Sequence, residues 1–162
     1  MSEVEVETPM KLMEILETDA VILDLGVRGK SDVLAEMAAG VAKAQPQIDA
    51  EHLLEVLLER EKLQSTGIGD GVAIPHGKLA GLDHLVASFA RSSAGVDFES
   101  IDGQPTHHIF LLVVPEHSGG KYLKALARIS RFFRDPLFRE QLSASATQDE
   151  LIGTIRDADE KS

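Results

Sequence analysis

Six consecutive apolar residues, Ile109-Phe110-Leu111-Leu112-Val113-Val114, constrain this chain more than any other stretch. Successive side chains of a strand point to opposite faces, so a strand with one wet face alternates apolar with polar residues. This run does not alternate. It reads as a central strand covered on both faces, and helices are what cover a sheet twice. Residues 72–74 and 85–89 are apolar runs bounded by Gly, Pro or Asp and read as further strands. A short strand at 96–98 precedes a turn at Asp102-Gly103, and 21–25 reads as a strand closed by Gly26.

Helical spacing fills the rest. A short helix is expected over 9–16. A second, capped by Ser31 and buried through Val33, Leu34, Met37, Ala38 and Val41, runs to about Ala44 before Pro46. Asp49 caps a third, with Leu53, Leu54, Val56, Leu57 and Leu58 inside and Arg60 in its last turn. Leu123, Leu126, Ala127 and Ile129 carry a fourth helix to Phe133, Asp135-Pro136 opens a fifth, and Thr147 with Glu150 caps the last. At 162 residues, with no repeat and no linker, the chain suits one domain. The expected fold is a single-domain α/β sandwich over 9–157, between a flexible acidic start (1–8) and a solvated tail (158–162) that includes Asp159 and Glu160.

Charge and composition narrow the function. A formal net charge of −11 opposes binding to nucleic acid or to anionic lipid. No apolar stretch is long enough for a membrane span, and the acidic start lacks the layout of a signal peptide. With no cysteine there is no disulfide framework, thiolate nucleophile or thiolate metal site. A cytoplasmic protein without membrane insertion is expected. His52, His84, His107, His108 and His117 show no helical zinc spacing, and adjacent His107-His108 on a strand point to opposite faces, so no metal is expected. Walker A, dinucleotide-binding and nucleophile-elbow motifs are absent, which argues against a nucleotide-using kinase or a serine hydrolase.

The chemistry concentrates in residues 60–77. His76 follows Ile74-Pro75 and precedes Gly77, an uncrowded place for an imidazole that must meet large partners. Histidine titrates near neutral pH, and one ring nitrogen can attack while the other is held by a hydrogen bond. Arg60 offers a planar fork to phosphate oxygens, besides its ordinary use as a cation at a helix end. Ser65, Thr66 and the backbone amides around Gly67, Gly69, Gly71 and Gly77 are further phosphate-pocket candidates, although such hydroxyls equally serve turns.

From Arg60 to Gly77 the pattern Arg-Glu-x-x-x-Ser-Thr-Gly-Ile-Gly-x-Gly-x-Ala-Ile-Pro-His-Gly resembles the active-site signature of phosphotransferase-system IIA domains. The class is the fructose–mannitol one (EIIA type 2), which includes the nitrogen-regulatory IIA proteins. Residues 109–115, 121–133, 137–142 and 150–152 resemble the same family more loosely. The resemblance implies a mixed sheet flanked by helices, no cofactor, and phosphorylation of His76 by a phosphorylated HPr-like carrier or its nitrogen-branch paralogue, with Arg60 beside it. It implies delivery to a downstream IIB domain, or a regulatory mark read by a kinase or transporter. Where many relatives carry a second active-site histidine, this chain has Tyr122, with His117 five residues earlier. Tyrosine can donate a hydrogen bond to a phosphoryl oxygen but supplies no cation at pH 7. That departure, and the lack of a fused carrier, IIB or membrane unit within these residues, favours the regulatory role over the sugar relay.

Overall fold

The computed structural model describes residues 11–162. Five strands form one mixed sheet: β1 (Gly67–Gly69), β2 (Val72–Ala73), β3 (His76–Leu79), β4 (Val86–Val96) and β5 (Thr106–Pro115). The expected central strand is β5. β4 runs antiparallel on one side of it, while β2 and β3 lie end to end and parallel on the other. Val72 faces His108 and His76 faces Leu112, so the register passes through the break at Ile74-Pro75 without a shift. Pro75 lacks an N–H to give, but its carbonyl still accepts from Leu112 N–H at 2.9 Å. β1 folds back antiparallel on β2.

Two helical layers cover the sheet. Helices α1 (Lys30–Ala44) and α2 (Ala50–Leu63) pack on the face that carries Ile109, Leu111 and Val113. Helices α3 (Lys121–Arg134), α4 (Pro136–Ala144) and α5 (Gln148–Lys161) cover the face of Phe110, Leu112 and Val114. Consecutive β5 side chains thus feed two separate cores, which is why the run cannot alternate. Asp49 and Thr147 cap α2 and α5 by accepting from His52 N–H and Glu150 N–H, as their positions predict.

Several elements differ from expectation. Residues 21–25 form no strand: the segment touches the outer edge of β4 only at intervals, through bridges such as Ile22 with Ala90. A 3-10 turn at Thr18–Ala20 precedes it, and Asp24 turns aside to accept from Ser93 N–H. Near the N-terminus only a 3-10 turn, Leu12–Glu14, falls among the described residues, and Pro9 and Met10 of the expected helix lie outside them. Residues 85–89 belong to the longer β4, which continues through an irregularity to Val96, while Phe98 is a fully buried loop residue. Gly29, not Ser31, precedes α1, which leaves Lys30 in the first turn with its ammonium against Glu61 at 3.0 Å. Residues 158–162 are not a free tail. Asp159 is 2% exposed in α5, accepts from Leu12 N–H (2.9 Å) and Met13 N–H (3.0 Å), and pairs with Arg128 at 2.9 Å. The start 1–8 lies outside the described residues.

Candidate functional site

His76 opens β3, and its ring is half-buried. Pro75 interrupts the edge of the sheet, so the Ile74 carbonyl is available to the side chain two residues on. Nδ1 of His76 lies 2.9 Å from that oxygen. A carbonyl only accepts, so Nδ1 carries the proton, and the neutral ring keeps its lone pair on Nε2. Burial lowers the His76 pKa below the usual histidine value. The Ile74 carbonyl opposes that shift, the Arg60 charge adds to it, and Glu61 opposes it. The balance favours the neutral imidazole.

Arg60 stands in the last turn of α2, where Nη1 donates to Gln64 O at 2.9 Å. It therefore ties down a helix end, as its ordinary role predicts, while its charge also acts on His76. Glu61, next to it, is the charged group that the motif left without a role. It repeats the inward phase of Leu53 and Leu57 on α2 and is only 8% exposed. Its carboxylate accepts from Thr66 N–H at 3.1 Å, from the Thr66 hydroxyl, and from the Lys30 ammonium. The spacing 53, 57, 61 is the signal that locates it.

The remaining candidates divide. Ser65 Oγ donates to Phe98 O (2.8 Å) and accepts from Gly67 N–H (3.1 Å), and Thr66 gives its hydroxyl proton to Glu61. Both hydroxyls thus hold the loop that leads into β1. Physically, each found an acceptor inside the fold that sequence spacing does not reveal. The signature glycines likewise have packing or conformational reasons. Gly69 and Gly71 take positive φ (97° and 76°) on either side of Asp70 in the β1–β2 turn, and any Cβ on Gly67 would meet Ser100 Cα at 3.0 Å. Gly77 is buried in β3 against α2.

Tyr122 lies in the first turn of α3, its ring under Lys78 Nζ at 5.1 Å. Lys78 is two residues along β3 from His76 and so shares its face. A cation thus accompanies Tyr122, though it comes from the strand and not the helix. His117 points to solvent, 92% exposed and paired with Glu116. No cluster of three or more His, Cys, Asp or Glu among the described residues is arranged to hold a metal ion. A hollow of about 880 Å³ between α3, α4 and α5 is lined by Phe132, Leu137 and Phe138 and does not include His76. A ring that meets another protein needs an open face more than a cavity.

A model of the family described as phosphoenolpyruvate-dependent sugar phosphotransferase system, EIIA 2, matches residues 14–158. A nitrogen regulatory protein of Bradyrhizobium diazoefficiens is 45% identical over 136 residues, which cover 84% of this chain and 88% of that one. The fructose-specific EIIABC component of Bacillus subtilis is 37% identical over 150 residues, 93% of this chain but 24% of that protein. The crystal structure of nitrogen regulatory protein IIA-Ntr from Neisseria meningitidis superposes with a TM-score of 0.82 at 33% identity, covering 89% of this chain and 98% of that one.

Proposed function

The chain belongs to the EIIA 2 family of the phosphoenolpyruvate-dependent sugar phosphotransferase system, and from that premise we propose that it carries a phosphoryl group on Nε2 of His76. The donor is a phosphohistidine of a small HPr-like carrier or its nitrogen-branch paralogue. The Nε2 lone pair attacks phosphorus in line as the donor's nitrogen–phosphorus bond breaks, and the donor imidazole leaves with that electron pair. Nδ1 keeps its proton throughout. The Ile74 carbonyl that holds this proton at 2.9 Å then faces the positive charge that appears on the phosphorylated ring. Arg60 faces the transferring oxygens, and Lys78 beside Tyr122 adds positive charge on the same strand face.

The observation that carries this reading is the pinned tautomer: one nitrogen is held by a carbonyl that can only accept, and the other is left with its lone pair. The downstream role we infer is regulatory, with the phosphorylation state deciding which kinase or transporter is bound. Relatives named as nitrogen regulatory proteins, matched over nearly their whole length, support it. Delivery of the group to a fructose- or mannitol-type IIB domain is the second reading, favoured by the 37% match to a fructose-specific component.

Incubation with a phosphorylated carrier, read by intact mass, tests the proposal. The wild type gains one acid-labile, base-stable phosphoryl adduct and His76→Ala gains none; equal labelling of the two proteins removes His76 from the mechanism.

A further inference from the structure

Gly77 lies on β3 directly against α2. A Cβ built there would lie 2.5 Å from Val56 Cγ1, a distance that no real Cβ contact tolerates. Its φ is not in the left-handed region, so the backbone would accept alanine, and only this contact excludes a side chain. Val56 is β-branched and stiff about χ1, so its methyl has little room to swing away within a helix. The parallel register, in which Leu112 N–H donates to Pro75 O, also places the Gly77 N–H in the ladder with β5. Its amide therefore has other work than cradling phosphate.

Val56 and Arg60 are four residues apart on α2 and share a face, while His76 and Gly77 are adjacent on β3. The missing side chain at 77 thus fixes how close the helix end that carries Arg60 comes to the strand that carries His76. Within the carrier reading given above, on which this inference rests, we infer that Gly77 is a positioning residue for phosphoryl transfer. It seats the end of α2 so that Arg60 comes within reach of the imidazole around the open edge of β3.

Alanine at 77 pushes α2 outward by a fraction of an ångström to an ångström, and misplacement on that scale costs about a hundredfold in rate. The relief is specific. With Val56→Ala also present, the nearest atoms to the new Cβ are Val56 Cβ at 3.6 Å and Leu57 Cδ2 at 3.7 Å, both ordinary contacts.

The test is single-turnover transfer from a phosphorylated carrier, together with an NMR titration of the His76 ring in each unphosphorylated variant. Gly77→Ala is expected to slow transfer about a hundredfold. Val56→Ala, and the double variant, should stay within about threefold of wild type. In an Arg60→Ala background, Gly77→Ala should cost little more, because the group it displaces is already gone. The titration of His76 moves upward in Gly77→Ala, as it does in Arg60→Ala, and returns in the double variant. Folded Gly77→Ala protein with wild-type transfer and titration overturns the inference. So does a folded double variant as slow as Arg60→Ala, and that comparison decides the matter if Gly77→Ala does not fold alone. If the wild type accepts no phosphoryl group, the carrier reading fails, and the titrations still test whether Gly77 seats Arg60.

Discussion

His76 and His108 lie on neighbouring strands of the same sheet, His108 opposite Val72 on the central strand and His76 opposite Leu112 at the edge. Burial holds both below the usual histidine pKa, His108 at about 4. Their surroundings otherwise diverge. His108 is 4% exposed, with its ring 6.2 Å from those of Phe89 and Phe133, and its Nδ1 has no hydrogen-bond partner. The charges that act on it, from His107, Arg139 and Arg91, are all positive. His76 keeps an open side, a carbonyl on one nitrogen, and charges of both signs from Arg60 and Glu61. A lowered pKa is therefore a property that the two rings share, and it does not identify a nucleophile. What separates them is a fixed proton on one nitrogen and an accessible lone pair on the other.

That contrast can be broken outright or sharpened by degrees. The largest expected difference is in labelling. His76→Ala abolishes phosphoryl uptake while His108→Leu leaves it intact, and a loss in both would mean that the two rings act together. Arg60→Ala comes next and should slow transfer about ten- to a thousandfold, the usual cost of one transition-state donor. An unchanged rate constant would leave His76 with no more use for its cation than His108 has for the arginines around it.

His108 should govern acid stability instead. The unfolded chain takes up the proton as pH falls through 6.5, whereas the folded ring resists until about 4. Stability from this group is thus full above about pH 6.5 and declines as pH falls toward 4, by about 3 kcal/mol in all. Denaturant titrations at pH 7 and pH 4.5 should show that decline flattened in His108→Leu; an equal decline in both would acquit His108. The smallest change is Glu61→Gln, expected to cost about 1–3 kcal/mol through the lost charge opposite Lys30. It should also shift the His76 titration further down, toward the behaviour of His108, and an upward shift would contradict the sign assigned to Glu61.

The sequence exposed the parts of this comparison that depend on local pattern. The unbroken run at 109–114 told that the sheet is covered twice, and the spacing Leu53, Leu57 gave the inward phase of α2. The stretch from Arg60 to Gly77 placed an arginine and an imidazole near each other. Partners distant in the chain were not legible. Ser65 bonds Phe98 O and Asp159 bonds Leu12 N–H, separations of 33 and 147 residues. Local spacing offers Ser65 both a turn and a phosphate role and reads Asp159 as part of a solvated tail, because neither distant partner shows in it. The strand expected over 21–25 failed for a similar reason, since Asp24 is turned away by Ser93 across the fold. Gly77 was visible as a residue but not as a gap, because the atom that fills the gap belongs to another element.

The unshifted register across Ile74-Pro75 has one last consequence. Strand β3 pairs with no strand but β5 among the described residues, and its alignment with β5 survives a proline directly before the imidazole. A doubly charged group written on that ring would sit at a sheet margin already tolerant of interruption, so writing and erasing it need not unsettle the interior. A reader of such a mark would have to sense charge on a nearly unchanged surface, and the message would travel by electrostatics and not by reshaping.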